Sequence, residues 1–346
     1  MTTDRVYRSP AGDVTIAPYR EGCEAGIRQL FAEVFGRERS EAEWNWLFRD
    51  CPDGFHAYLG RESSGRVVSQ FCTIPSRMVI RGEMFTVGQV VDSMVHPDYR
   101  AGLKRKGLFT CTVDAMVEEY GHRDREVAMV GLPNAQAFRI GRKLCGYVPM
   151  NKVHLHTKVI EPAPGLPAVP DTLSWKGREF SLLKVHRFPP DVDDLFARVA
   201  SHHEAIMYRD RRKLDWRYAA CPAFERYHIL EMRREDGLLV GCAVGIFGYQ
   251  ERPDGIIADW LVDPEIEGAA EVLLRAVEEL AARVSMNCVR CLLNPNCPES
   301  RFFEDMGYDL TTTHYHLVSR TYAPDIVTPE WLNRYWYYTL GDFDVV

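Results

Sequence analysis

No stretch of this sequence approaches the ~18 uninterrupted apolar residues that a membrane helix requires. The N-terminal segment MTTDRVYRSPAGD lacks the apolar core of a signal peptide, so we expect no export and a cytoplasmic location. The ten cysteines among 346 residues do not form the dense pattern of a disulfide scaffold. We predict instead that cysteines such as Cys72, Cys242 and Cys291 are small buried hydrophobic residues in a reducing cytoplasm.

The sequence also lacks an excess of positive charge. Its net charge is −7 and its pI is near 5.9, whereas proteins that bind nucleic acids usually carry a basic face. One concentrated basic segment, Arg100 to Lys106, is too short to follow a nucleic acid. We therefore expect a local anion site and no nucleic-acid partner. A composition that is 46% hydrophobic and 26% charged is ordinary for a globular protein, and the length suggests two domains of about 150 residues.

The chain repeats itself, because four motifs recur in the same order at nearly constant spacing. The first-half motifs and their second-half matches are WLFRDCP (46–52) with WRYAACP (216–222), GRVVSQFCTI (65–74) with GLLVGCAVGI (237–246), DSMVHP (92–97) with DWLVDP (259–264), and Pro-Asn leading to Gly-Tyr (133–147 with 295–308). Any one match would be weak, but four in order indicate a duplicated module.

Each copy has the pattern helix, strand hairpin, strand, helix, strand, helix, strand. In the first copy the apolar periodicity changes from strand-like (89–95) to helix-like (109–120) and back to strand-like (126–131). Such a unit predicts two parallel strands joined by a right-handed crossover helix, and an α/β fold class. The segment 161–176 has four prolines and no periodicity, so we predict a domain at 1–155, a linker at 156–177 and a domain at 178–346.

The most informative segment is VDSMVHPDYRAGLKRKGLF (91–109), in which an apolar strand leads through a basic, glycine-containing loop into a helix. A helix N-terminus offers unpaired N–H groups and the positive end of the helix dipole. Glycines let the backbone approach a ligand closely, and basic side chains add charge. The segment therefore predicts an anion site suited to a pyrophosphate, although a solvated basic loop would have the same composition.

This segment resembles the acyl-CoA loop of the GNAT acyltransferase superfamily, in which a V-x-P-x-Y-R-G-x-G-I/L run binds the cofactor pyrophosphate. The segments that begin at Asn134 and Asn296 resemble a second motif of that family, N-x-x-A-x-R-x-Y-E-K-x-G-F. The resemblance covers residues 12–150 and 178–320. It implies two tandem GNAT folds, each a mixed central sheet flanked by helices, in an arrangement similar to two-domain members such as mycothiol synthase.

The resemblance implies acetyl-CoA or another acyl-CoA as co-substrate and no metal. It implies that the first half holds this ligand through Met94, Val95, Arg100, Ala101, Gly102, Leu103, Lys104, Arg105, Lys106, Gly107, Leu108, Asn134 and Phe138. In the second half, Glu265 and Glu267 stand where the loop would be basic, and they would repel a pyrophosphate. We therefore predict that the first half binds the ligand and that the second half shapes the acceptor site.

Enzymes of this family let an amine attack the thioester directly, so the resemblance implies a general base and a general acid near the reacting centre. Asp92 is the best candidate base, with a structural aspartate as the alternative because Asp259 occupies the matching position. Ser93 and Tyr147 are further candidates. The family's usual tyrosine is missing, since its position falls near Gly141 or Arg142 in the first copy and is Phe303 in the second.

The predicted function is transfer of an acyl group, most simply acetyl, to a primary amine of a small molecule, which could be an amino sugar. Asp342 and Asp344, in the aromatic C-terminal segment, have the charge to meet a cationic amine. The alternatives are a non-catalytic acyl-CoA-binding protein and a Fem-type transferase that uses aminoacyl-tRNA. A Fem-type enzyme would carry a basic face or a long coiled arm, and the sequence has neither. The sequence leaves the oligomeric state open.

Overall fold

The structure is a computed structural model that describes residues 4–9, 12–102, 106–165 and 171–344. The chain divides into two compact units, each built from three segments. The first unit comprises Met1–Met78, Met84–Asn151 and Tyr315–Leu332, and the second comprises Val79–Glu83, Lys152–His314 and Asn333–Val346.

The first copy of the repeat begins with a β-hairpin and continues with alternating helices and strands. Its elements are β1 (Arg5–Ser9), β2 (Gly12–Pro18), α1 (Glu24–Phe35), α2 (Glu41–Trp44), a π-helical turn (Asn45–Arg49), β3 (His56–Glu62), β4 (Val67–Ile80), β5 (Glu83–Val95), a 3₁₀ turn (Pro97–Tyr99), α3 (Leu108–Tyr120), β6 (Ala128–Gly131), α4 (Ala135–Leu144) and β7 (Val148–Val159).

The second copy has the same order, with one short additional strand, β10, before its second helix. Its elements are β8 (Thr172–Trp175), β9 (Arg178–Val185), α5 (Val192–Ala200), β10 (Ala205–Met207), α6 (Arg211–Leu214), a π-helical turn (Asp215–Ala219), a 3₁₀ turn (Phe224–Arg226), β11 (Tyr227–Arg234), β12 (Leu239–Phe247), a 3₁₀ turn (Tyr249–Glu251), β13 (Asp254–Val262), α7 (Ala269–Arg283), β14 (Cys288–Leu292), α8 (Pro298–Asp305) and β15 (Asp309–Thr321). The chain then forms α9 (Pro329–Tyr335), β16 (Trp336–Tyr337) and a last 3₁₀ turn (Leu340–Asp342).

This recurrence confirms the duplicated module and the α/β fold class that the sequence predicted. Even the unusual features repeat, because in both copies a four-residue α-helix continues directly into a five-residue π-helical turn. The sequence signal for this feature is the repeated tryptophan motif, since Trp46 and Trp216 both lie in these turns.

In the first unit the sheet has the order β1-β2-β3-β4-β5-β6, and the end of β15 (318–321) pairs antiparallel with β6. In this sheet β5 and β6 are parallel, as expected for a crossover through α3. In the second unit the order is β8-β9-β11-β12-β13-β14, followed by the end of β7 (155–159). There β13 and β14 are the parallel pair, joined by α7.

The two units therefore interleave along the chain, whereas the predicted domains were contiguous. The strand that ends the first copy, β7, pairs with β14 of the second unit, and the strand that ends the second copy, β15, pairs with β6 of the first. Part of the predicted linker is also ordered strand, namely 156–159 in β7 and 172–175 in β8. A composition signal marks where a chain is proline-rich, but strand partners depend on contacts distant in sequence.

The cysteines are all free, and Cys72, Cys242 and Cys291 are buried, as predicted. Cys288 and Cys291 have a Cys-x-x-Cys spacing on β14. Residues three apart on a strand point to opposite faces, so these two thiols are not a redox pair. In the part of the chain that the structure describes, no helix is both long enough and apolar enough to cross a bilayer.

Candidate active site

Strands β5 and β6 separate at one end of the first unit. Their parallel register ends at Gln89 opposite Val130, although β5 continues to Val95. Just beyond the last pair, Asp92 adopts a φ of +44°, in the left-handed region that non-glycine residues seldom occupy. Backbone strain of this kind is retained only where the surroundings enforce it, and it is common at functional sites. The result is an opening beside the C-terminal part of β5.

A cavity of about 270 Å³ lies at this opening, and its lining is mostly apolar. It is bounded by the end of α1, the end of β5, the loop that follows β5, the start of α3 and one face of α4. The lining residues are Val34, Phe35, Ser93, Val95, Tyr99, Arg100, Ala101, Gly102, Gly107, Leu108, Phe109, Thr110, Asn134, Gln136, Ala137, Ile140 and Leu144.

The N-terminus of α3 lines this cavity without a side-chain cap. Its N-cap residue is Gly107, which has no side chain to cap the helix. The first N–H groups of α3 are therefore left without a side-chain cap and can bond to a ligand. A Cβ at Gly107 would lie 2.7 Å from the Cβ of Ala101, which shows that glycine is needed for the loop to pack against the helix. The positive end of the α3 dipole therefore faces the cavity, as an anion site requires.

Most of the predicted ligand-binding residues line the cavity: Val95, Arg100, Ala101, Gly102, Gly107, Leu108 and Asn134. The Arg100 Nε donates to the Val95 carbonyl oxygen at 3.3 Å. Asn134 caps α4, because its Oδ1 accepts from the backbone N–H groups of Gln136 and Ala137. Leu103, Lys104 and Arg105 lie outside the described residues.

Three other predicted residues do not line it. Met94 is buried in the core. The Lys106 ammonium pairs with Asp114 and borders a separate cavity of about 160 Å³, and this hydrogen bond raises the pKa of Lys106. The Phe138 ring stacks on the His316 imidazole, with 4.4 Å between ring centroids.

Sequence reasoning missed the apolar part of the lining. Ala137, Ile140 and Leu144 form one stripe of α4 at helical spacing, and Val34 and Phe35 end α1. The amphipathic pattern of α4 could have identified the stripe. The pattern alone would not have distinguished a cavity wall from ordinary core.

Asp92 forms a buried ion pair with Arg39; their side chains are 6% and 9% exposed. The surroundings of the Asp92 carboxylate are therefore charged as well as apolar. The second unit repeats the pair at the matching positions, where the Arg209 Nε lies 3.0 Å from the Asp259 Oδ1. This repetition favours the structural alternative for Asp92.

Ser93 lines the cavity, and its buried Oγ has no hydrogen-bond partner among the described residues. A buried hydroxyl without a partner is unfavourable in a folded protein, and at the wall of a cavity it can bond to a ligand.

Tyr147, in contrast, lies in the core of the first unit and is absent from the cavity lining. Its ring packs against Gly141, where an added Cβ would lie 2.2 Å away, and burial raises its pKa. The ring of Tyr147 thus covers the position where the family motif would carry its tyrosine.

In the second unit, the place that corresponds to the anion site is covered by the chain itself. Gly268, the N-cap of α7, has a φ of +86°, and a Cβ there would lie 2.4 Å from the Trp175 ring. The Arg178 guanidinium pairs with the Glu267 carboxylate at 3.1 Å beside it. The helix N-terminus that is open in the first unit is therefore covered in the second. Within the described ranges, no cluster of His, Cys, Asp and Glu is arranged to hold a metal ion.

Comparison with known proteins agrees with this architecture. Residues 15–138 match the model of the acetyltransferase (GNAT) domain, and residues 192–308 match that of the acetyltransferase (GNAT) family. No curated protein sequence matches the chain.

Three solved structures share the fold at low sequence identity. A probable N-acyltransferase from Enterococcus faecalis is 12% identical with a TM-score of 0.62, over 93% of this chain and 73% of that one. N-myristoyltransferase of Saccharomyces cerevisiae, bound to myristoyl-CoA, is 13% identical with a TM-score of 0.53, over 88% and 82%. A tandem GNAT protein of the clavulanic acid biosynthesis pathway is 14% identical with a TM-score of 0.50, over 89% and 98%.

The two matched segments together span more than half of the chain, one in each half. The chain therefore belongs to the GNAT acyltransferases. Within them it is a tandem member, with two domains of the family in one polypeptide.

Proposed function

We propose that the first unit binds an acyl-CoA and transfers its acyl group to a primary amine of a small molecule, which attacks the thioester directly. The observation that carries this proposal is the cavity, in which an uncapped helix N-terminus, an apolar wall and an unpartnered hydroxyl meet. These features fit the three chemical parts of the ligand: a pyrophosphate, an extended pantetheine arm and a polar thioester carbonyl.

Different groups around the cavity contact different parts of the acyl-CoA. The backbone N–H groups at the start of α3 and the Arg100 guanidinium hold the phosphates. Val95 and the apolar face of α4 exclude water from the arm. When bound, the acyl-CoA supplies an activated thioester.

Ser93 and Asp92 are the candidate catalytic residues beside it. The Ser93 hydroxyl donates a hydrogen bond to a polar atom of the reacting group. Because the hydroxyl is already held in place, no rearrangement of the protein is needed during the reaction. Asp92 is the candidate base for the amine proton. Its ion pair with Arg39 supports the competing role of a brace for the bent strand. Tyr147 is enclosed in the core, so we assign it to packing.

We propose that acyl-CoA binds to the first unit alone. The support is the covered helix terminus of the second unit, where Trp175 and the Arg178–Glu267 pair occupy the matching place. Acetyl-CoA is the simplest donor. The similarity in fold to an N-myristoyltransferase is a reason to test longer acyl chains also. The free cysteines are consistent with a reducing compartment such as the cytoplasm.

The binding step is tested with two substitutions on one helix. Ala137 lines the cavity whereas Ala135, two residues earlier on α4, does not. Ala137→Phe is expected to weaken acyl-CoA binding at least tenfold in calorimetric titration, because the ring fills the cavity. Ala135→Phe is expected to leave affinity unchanged. Equal affinity in the two variants would place the ligand elsewhere.

The transfer step is tested separately, by release of free thiol from acyl-CoA in the presence of amines, amino sugars included. One bound acyl-CoA per chain with amine-dependent thiol release supports the proposal. Binding without release for any amine would favour the alternative, a non-catalytic acyl-CoA-binding protein, for which the engaged carboxylate of Asp92 is the supporting observation.

A further inference from the structure

The second unit has its own gap between parallel strands, and the C-terminal segment of the chain lies in it. The register of β13 and β14 ends at Ile257 opposite Cys291. Beyond that point the Asn294 Nδ2 donates to the Trp336 carbonyl oxygen at 2.8 Å, and the Tyr337 hydroxyl donates to the carbonyl oxygen of Trp260. The segment is thus held from both sides, by β13 and by the residues that follow β14.

One glycine allows the closest approach. A Cβ on Gly341 would lie 1.9 Å from the Tyr218 hydroxyl oxygen and 3.1 Å from both the Ala258 carbonyl oxygen and the Asp259 Oδ2. Backbone atoms of β13 are among these neighbours, so relaxation of a flexible side chain cannot accommodate a larger residue. The gap therefore selects a residue without a side chain at this point.

A charged contact fixes the segment next to that glycine. The Arg209 guanidinium is 3% exposed and pairs with two carboxylates. One is Asp259 of β13, and the other, at 2.6 Å, is Asp342 of the C-terminal segment. It also donates to the Thr339 hydroxyl at 3.2 Å. A buried guanidinium with five donors is well satisfied by two carboxylates, of which the C-terminal segment supplies one. The sequence-based suggestion that Asp342 is available to a cationic amine is therefore wrong.

The aromatic residues of the segment are also buried. Trp336, Tyr337, Tyr338 and Phe343 are each at most 2% exposed. In the first unit, Ser93 of the matching stretch of strand lines the cavity. In the second unit the matching residue is Trp260, whose ring packs against Phe302 and Phe303, while the C-terminal segment contacts the carboxylate of Asp259 through the Thr339 hydroxyl.

We propose that the gap of the second unit is a peptide-binding site whose ligand is the chain's own segment 336–343. Recognition uses aromatic side chains, a glycine at the narrowest point and an aspartate that pairs with Arg209. This inference goes beyond the proposed acyl transfer and does not depend on it, since the contacts that carry it join residues of the second unit.

The test uses the full-length protein. In hydrogen exchange, the amides of 336–343 are expected to be protected as strongly as those of β13, because the segment is part of the same packed layer. Exchange as fast as that of an exposed loop would overturn the proposal.

Displacement of the segment gives a positive readout. Gly341→Leu is expected to speed exchange of 336–343 at least tenfold and to let the chain bind a labelled synthetic peptide of residues 336–346. The wild-type chain should not bind this peptide, because its own segment fills the site. Gly165→Leu is the matched control, since an added Cβ there meets nothing within 4 Å. A released segment with no peptide binding would overturn the proposal.

A milder variant covers the case in which Gly341→Leu does not fold. Tyr337→Phe removes only the hydroxyl that bonds to the Trp260 carbonyl oxygen. Faster exchange confined to 336–343 is expected. Unchanged exchange there would show that the segment is not held by this gap.

Discussion

Asp92→Asn separates the two roles that the structure leaves for this residue, base and brace. The substitution keeps the shape of the side chain but removes the charge that faces Arg39. Removal of one partner from a buried ion pair typically costs about 3–5 kcal/mol, because the other charge stays buried and loses the attraction that offset its desolvation. Since the pair is at most 9% exposed, this buried case applies. A loss of that size lowers the melting temperature of a unit of this length by at least about 6 °C.

The second unit provides the matched control. Asp259→Asn removes the equivalent carboxylate, but Arg209 keeps Asp342 as a counter-charge. With that counter-charge kept, we expect a loss of stability of about 1–3 kcal/mol for the altered hydrogen bonds. We also expect no loss of turnover, because in the second unit the gap between β13 and β14 is occupied by the C-terminal segment.

The assay combines thermal unfolding with thiol release measured well below the melting temperature of each variant, so that every sample is folded. If Asp92 is the base, turnover in Asp92→Asn falls at least tenfold, since a general base typically contributes 10²–10⁴-fold. Full turnover with lower stability would reject Asp92 as the base and leave it as a brace. A melting temperature equal to that of the wild type would refute the reasoning about the ion pair.

The remaining predictions concern one hydroxyl and one imidazole. Ser93→Ala is expected to lower turnover at least tenfold with little change in melting temperature. Ser319→Ala also removes a buried hydroxyl without a described partner, but Ser319 does not line the cavity, so this variant should leave turnover unchanged. Turnover that responds equally to both substitutions would contradict a specific role for Ser93. Burial, together with the positive charge of Lys184, lowers the pKa of His228 to about 4 in the folded protein. The unfolded chain therefore takes up a proton at a higher pH than the folded chain does, and stability falls as pH drops from about 6.5 towards 4. His228→Gln should make the melting temperature less sensitive to pH in that window, while the exposed His202→Gln should not; an unchanged slope in His228→Gln would contradict the assignment.

The sequence by itself determined the repeat and the fold class, and it predicted an anion site in a stretch whose described residues mostly line a cavity. These features depend on local signals: apolar periodicity that sets each helix and strand, and a glycine with basic neighbours that ends a strand and opens a helix. Seven of the predicted ligand-binding residues lie in such a continuous stretch or cap the next helix, which is why they line the cavity.

Only the tertiary structure decided which strands pair, where charges find partners and which gap stays open. β7 pairs with β14 and β15 pairs with β6; each pair joins segments more than a hundred residues apart, and no local pattern specifies it. Lys106 has the charge for a phosphate, but its ammonium meets Asp114. Asp92 and Asp259 are indistinguishable by motif, yet Asp92 pairs with Arg39 whereas Asp259 shares Arg209 with Asp342 of the C-terminal segment. The physical reason is that burial and charge pairing are properties of contacts, and contacts between distant residues exist only once the chain has folded.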